Sequence, residues 1–288
     1  MVLYHGLLVI IFVLLSSGCQ ELPPEHRDAS ENLGSVVIDQ ITIPVLPTSE
    51  EQFNYTRSWF AERRVKRAAL KAYIQLHPEQ KKYCGMAALD LAYLQLGDDY
   101  RFAHEKSYFA ALESYNTVLA EYSDFPSIMA KALWYIGWIS TDLLYDREKG
   151  LAAYRRVVEE FPHEHVFLLP PAPWVSIIYP PDQQGGRVVY AQPRNSWAAL
   201  ALVEMIKHTE DQEAAWNSFV KLWHEHRGDV ATGFGLRLVL QRRYHVNETR
   251  AMAMEYMERD LSNIHILSDI REELNAIDRG RGVSGNED

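Results

Sequence analysis

Only two cysteines, Cys19 and Cys84, occur among the 288 residues, so at most one disulfide can form, and it would join the end of an apolar segment to a patterned helix. Cationic charge is also in deficit. The 29 Lys and Arg against 39 Asp and Glu leave a net charge of −10. A phosphate-binding face needs a cationic field, so this balance speaks against a nucleic-acid partner and an anionic lipid surface. No Gly-rich phosphate loop, GxSxG elbow, CxxC or HExxH is present. Those absences remove the common signatures of nucleotide binding, nucleophile-elbow hydrolysis, dithiol redox chemistry and helix-borne zinc catalysis. Cys84 has no spacing that ties it to a histidine base, and nothing marks two of the many carboxylates as general acid and base.

Long apolar runs are missing too. The longest, Leu7 to Leu15, is nine residues, well short of the ~20 that cross a bilayer as a helix but suited to the core of a signal peptide. It leads into Ser16-Ser17-Gly18-Cys19. Small residues before a cysteine resemble a bacterial lipobox, which implies cleavage after residue 18 and acylation of Cys19 as the mature N-terminus. The pattern departs from the usual one in lacking Lys or Arg ahead of the apolar run and in having Ser16 where Leu is common; an ordinary secretory signal or an uncleaved anchor is the alternative. Gln20 after the cysteine implies, within that resemblance, sorting to the outer membrane. Residues 19–50 then read as a polar, Pro-containing tether. Within it Ile41, Ile43 and Val45 alternate, as in a strand that could dock on a partner or on the protein's own body.

From Glu50 a long helix is expected to run to about His77, before Pro78, with Phe53, Phe60, Ala61, Ala68, Ala69, Ala72 and Tyr73 on its apolar stripe. Its basic residues Arg57, Arg63, Arg64, Lys66, Arg67 and Lys71 are read as a solvated face. Beyond it the chain turns repetitive. Ala132, Leu133, Ile136, Gly137 and Ser140 form one helical stripe, and Gly150, Tyr154, Val157 and Phe161 form a second that Pro162 ends. Ala111, Tyr115, Val118 and Tyr122 match that second stripe at a constant offset of 39 residues, and Ala215, Phe219, Leu222 and His226 match it again, 65 residues on. First helices precede these: Ala88, Leu91 and Ala92 before one, Trp197, Leu200 and Ala201 before another. A further helical pair is patterned over Val230 to Tyr244 and Val246 to Arg259.

Small, aromatic and aliphatic residues at offsets 0, 4 and 7 resemble the tetratricopeptide (TPR) repeat. The resemblance is clearest over residues 80–227. It implies an all-α chain: a right-handed stack of antiparallel helix hairpins over residues 51–279, with a tail at 280–288. Into it is set a Pro-rich loop or small β-hairpin at 163–195; seven of the 13 prolines fall from Pro162 to Pro193. Joined to the lipobox, it resembles exported TPR lipoproteins of barrel assembly or of cell-division coordination. It implies a lipid-anchored, periplasm-facing scaffold at the outer membrane that binds a protein or peptide segment of the envelope without a cofactor and without enzymatic activity. In such stacks the first helices line the concave face, at positions one after and three before the small contact residue. Taking Ala92, Gly137 and Ala201 as those residues selects Tyr93 and Leu89, Trp138 and Trp134, and Leu202 and Ala198 as the peptide-binding set. Trp134 and Trp138 packing beneath the insertion, beside Trp174 or Ile178, is the structural alternative. The functional alternative is an exported enzyme or metal-binding protein with the helical body as frame and the insertion as lid. His163-Glu164-His165 and His224-Glu225-His226 are the most metal-like signals. Their spacing does not put both rings on one helical face, and a helix-end role suffices, so no metal site is expected there.

Overall fold

The computed structural model describes residues 34–57, 62–97, 104–166, 195–259 and 264–279. The expectations for the apolar run, Cys19, most of the insertion and the tail at 280–288 lie outside those residues. Within them the chain forms a two-stranded sheet and eleven helices, and no helix is long and apolar enough to cross a membrane.

Strands β1 (Ser35–Ile38) and β2 (Ile41–Pro44) pair antiparallel across Asp39 and Gln40. Both turn residues have positive φ, 50° and 66°, the backbone that matches a two-residue connection to the right-handed twist of its strands. The sheet docks on the protein's own body. Ile43 is fully buried against Ala68, Ala69 and Ala72 of α2 (Arg63–Leu76), and Lys71 Nζ reaches Asp39 Oδ2 at 2.6 Å. Buried Gln52 completes the attachment, accepting from Leu46 N and donating to Pro44 O. Part of the expected tether is therefore folded.

The long first helix is in fact two. Helix α1 (Ser49–Thr56) begins with a capping box between Thr48 and Glu51 and ends at Arg57; α2 starts after Glu62, whose backbone is extended. At the end of α1 the Thr56 hydroxyl is buried and donates back to Phe53 O. Two helices can fold against each other and let Phe53 meet Tyr73 edge-on at 5.2 Å, which one straight helix could not do.

The remaining helices are α3 (Lys81–Leu94), α4 (Glu105–Glu121), α5 (Pro126–Trp138), α6 (Arg147–Glu160), α7 (Trp197–His208), α8 (Gln212–Glu225), α9 (Val230–Gln241), α10 (Val246–Arg259) and α11 (Ile264–Asp278). Each from α2 to α10 packs on the next, and α3, α5, α7 and α9 also touch one another in turn. The residues of the repeating stripe are what the pairs bury. Ala111, Tyr115, Tyr154, Val157, Ala215, Phe219 and Leu222 are within 0–2% of complete burial. Helix α11, with no counterpart in the repeat, packs on α9 more extensively than α10 does.

Close approach is concentrated where α5 meets α6. A Cβ on Gly137 would lie 2.5 Å from the Tyr154 ring, and one on Gly150 would lie 2.3 Å from Thr141 Cγ2 and 2.9 Å from Gly137 O. There α5 widens into a π segment, Ile139–Leu143, closed by Leu144 N donating to Ile139 O and followed by Tyr145 at φ 58°. Such widened turns are rare and recur at functional positions.

Candidate functional site

The six residues expected to line a groove divide in two. Leu89, Ala198 and Leu202 are 2%, 0% and 1% exposed and belong to the core, so they cannot meet a ligand from solvent. For Ala198 and Leu202 the reason is the position of α7, which is enclosed by α5, α6, α8 and α9 and is apolar all round over its first two turns, Trp197 to Val203. Leu89 is enclosed in the cluster shared by α3 to α5.

Tyr93, Trp134 and Trp138 do come together, through a residue that the repeat register passes over. Tyr135 is the hub: its ring lies 5.8 Å from Tyr93, 5.2 Å from Trp134, 6.2 Å from Trp138 and 5.3 Å from Tyr115, the last as a parallel stack and the other three edge to face or nearly so. Trp134 continues the series to Trp197 at 5.8 Å. The ring contacts therefore pass from α3 through α5 to α7, the first helices of successive pairs. Rings in these offsets add about 0.5–1.5 kcal/mol per pair beyond area burial, which makes the array rigid. Its outer members stay accessible: Tyr93 is exposed, and Trp134, Tyr135 and Trp138 are half-buried. The sequence feature that could have pointed to the hub is the spacing of Tyr135 and Trp138, one helical turn apart.

Polar groups border the array. Burial, then Tyr93 and Asp90, push the Tyr135 phenol up to about 12, so it is a neutral donor under all ordinary conditions. Asp90 is ion-paired with Lys131 at 3.6 Å. The indole Nε1 of Trp134 is buried with no hydrogen-bond partner among the described residues. A group like that is costly unless something bonds to it.

Two polar clusters were not anticipated. At one end of α7, buried Ser196 and His226 meet partly buried Asp229, the residue types of a hydrolase triad in a different arrangement. Ser196 Oγ donates to Asp229 Oδ2 (2.9 Å), and Ser196 N donates to the same oxygen (2.8 Å). The hydroxyl accepts from Ala199 N (3.0 Å), as an N-cap. With its one proton used, Ser196 leaves His226 Nδ1, 3.0 Å away, to donate to it. The imidazole thus does not lie between serine and carboxylate, and Ser196 is buried with its hydroxyl committed to its helix. This is a cap cluster that ties the start of α7 to the loop before α9, where Ala231 N also donates to Asn195 Oδ1. His226 is buried in this cluster, whereas His224 is exposed.

At the other end of α7, Asp142 of the π segment faces Glu204, Lys207 and His208. His208 Nε2 is 3.1 Å from Asp142 Oδ2 and 3.4 Å from Glu204 Oε2, while Lys207 Nζ is 2.7 Å from Asp142 Oδ1 and 3.2 Å from Glu204 Oε2. Thr141 Oγ1 lies 3.0 Å from Asp142 Oδ2. Burial acts to raise the Asp142 carboxyl, but the Lys207 bond and charge, with His208 and Thr141, outweigh it and hold it below the ordinary carboxylate value.

Comparisons with known protein families, with curated proteins and with solved structures find no match in any of the three.

Proposed function

We propose that this chain is a TPR-like scaffold that binds an extended segment of another protein across the aromatic array of Tyr93, Tyr135, Trp134 and Trp138. The observation that carries the reading is that array: ordered, half-exposed rings contributed by consecutive first helices, with an indole donor that has no partner among the described residues. Tyrosine and tryptophan concentrate binding energy because each offers a large apolar area, few rotamers and a polar handle. The 39-residue offset between the buried stripes of α4 and α6, the matching stripe of α8 and the contacts among α3, α5, α7 and α9 favour a stack of TPR-like hairpins, in which first helices form the binding face. The buried, cap-committed Ser196 gives the hydrolase-like cluster a structural role and favours a scaffold over an enzyme. The short apolar run and Cys19 place this scaffold, in our reading, on the outer membrane, facing the periplasm through a lipid anchor.

Replacing Trp134 and Trp138 together with Ala tests the binding face. The double variant is expected to stay folded and to lose a partner that the parent retains in affinity capture from membranes. A folded double variant that keeps every partner removes this face from consideration. Intact mass spectrometry of membrane-extracted protein tests the anchor: a chain beginning at an acylated Cys19 is expected, and one retaining residues 1–18 or starting elsewhere contradicts it.

A further inference from the structure

We infer that Asp142, Glu204 and His208 form a binding site for one divalent transition-metal ion, of the zinc or cobalt class, joining the π segment to the last turn of α7. The inference is independent of the docking face. One ligand atom from each residue lies within 4.8 Å of the other two, and all three residues are partly buried. The separations from His208 Nε2, 3.1 Å to Asp142 Oδ2 and 3.4 Å to Glu204 Oε2, are those of two ligands sharing one ion: bonds of about 2.0–2.2 Å place tetrahedral neighbours about 3.3–3.6 Å apart and octahedral neighbours about 3.0 Å apart. One imidazole and two carboxylates are a donor set for such ions, with positions left for water.

The surroundings have the features of a supported metal site. Asp142 divides its oxygens: Oδ2 faces His208, with the Thr141 hydroxyl on it, and Oδ1 is held by Lys207. Thr141 and Lys207 would thus orient the ligand from outside, as outer partners do at metal centres. Only Glu204 Oε2 is shared between Lys207 and His208, so the ammonium can keep its bond to Asp142 while releasing Glu204 to an ion. A second observation points the same way. The ring of Tyr154 is pinned by Gly137, and its hydroxyl is completely buried. Apart from the neighbouring Thr141 hydroxyl it has no hydrogen-bond partner among the described residues, and it lies close enough to feel the charges of Glu204 and Asp142. Water on a bound ion would offer that buried phenol a partner besides Thr141.

The test uses the full chain, purified without an affinity tag and freed of metal with a chelator, then titrated with Co2+ and followed by its visible d–d absorption and by calorimetry. One equivalent should bind with the spectrum of nitrogen and oxygen ligation, and Zn2+ should displace it. Asp142→Asn, Glu204→Gln and His208→Ala should each weaken binding at least about tenfold, while His163→Ala with His224→Ala should leave it unchanged. Absence of a cobalt spectrum from the unmodified protein overturns the site without reliance on any variant's folding. So does binding that survives all three substitutions, which would mean an adventitious ion only, or binding that disappears in the His163 and His224 variant.

Discussion

Two glycines set the distance between α5 and α6, and that distance is the residue-scale feature most exposed to test. Because Tyr154 is fully buried, its ring cannot step aside for a Cβ 2.5 Å away. Gly137→Ala should therefore destabilise the protein despite alanine's better helix propensity, and Gly137→Leu should cost roughly 1–3 kcal/mol or more, as overpacking does. Thermal unfolding reads this directly, and a Gly137→Leu variant that melts with the parent refutes the contact. Cys84 makes a second case. It is 2% exposed, its thiol bonds to His77 O at 3.2 Å, and burial pushes its pKa up despite Lys81. The thiol should resist Ellman's reagent at pH 8 in the native state and react fully in denaturant. Prompt native labelling would place Cys84 at the surface. Both roles were readable from sequence, since a small residue on an apolar stripe and a lone cysteine on a patterned helix have few other uses. Tyr135 was less legible: its side chain follows from the direction α5 faces, which neighbouring Trp134 obscures.

At the scale of elements, period and capping were legible and circumference was not. The stripes at Ala111, Gly150 and Ala215 located three second helices because only one face of each is apolar. Over Trp197 to Val203 helix α7 carries apolar residues all round, so no stripe there distinguishes its inner from its outer face, and Ala198 and Leu202 were assigned to a surface they do not reach. The break between α1 and α2 has no proline or glycine at Thr56 to Glu62 to announce it; tertiary packing of Phe53 on Tyr73 wins over local continuity. The Ser196, His226 and Asp229 cluster joins segments about thirty residues apart, beyond the reach of any local motif. Asp229 holds both the amide and the hydroxyl of Ser196, and Asp229→Ala should cost about 1–3 kcal/mol through groups left buried and unpaired. Denaturant unfolding measures this, and a loss under half a kilocalorie would contradict it. Burial lowers the pKa of His226, outweighing the opposing charges of Asp229 and Glu225. The folded state therefore binds fewer protons than the unfolded one, so His226 makes stability fall as pH drops below about 6.5, the ordinary histidine value. Replacing His226 with Gln should flatten the pH dependence below about 6.5, whatever it does to absolute stability. An unchanged slope would show that His226 titrates normally.

For the whole molecule, helical pairs packed in chain order follow from the sequence period, whereas the sheet on α2 and the terminal α11 do not, because neither belongs to the repeat. The aromatic array exists only once α3, α5 and α7 are adjacent; no segment of the chain contains it. Site-specific photo-crosslinking in the living cell addresses the binding face most directly. A benzophenone amino acid replaces Tyr93 or Trp138 in turn, with exposed Phe109 on α4 as the control position. The account predicts that the same protein is captured from Tyr93 and from Trp138, not from Phe109, and that the Tyr93 adduct is lost when Trp134 and Trp138 are both Ala. Equal capture from Phe109, or no adduct from either position on the array, would contradict it.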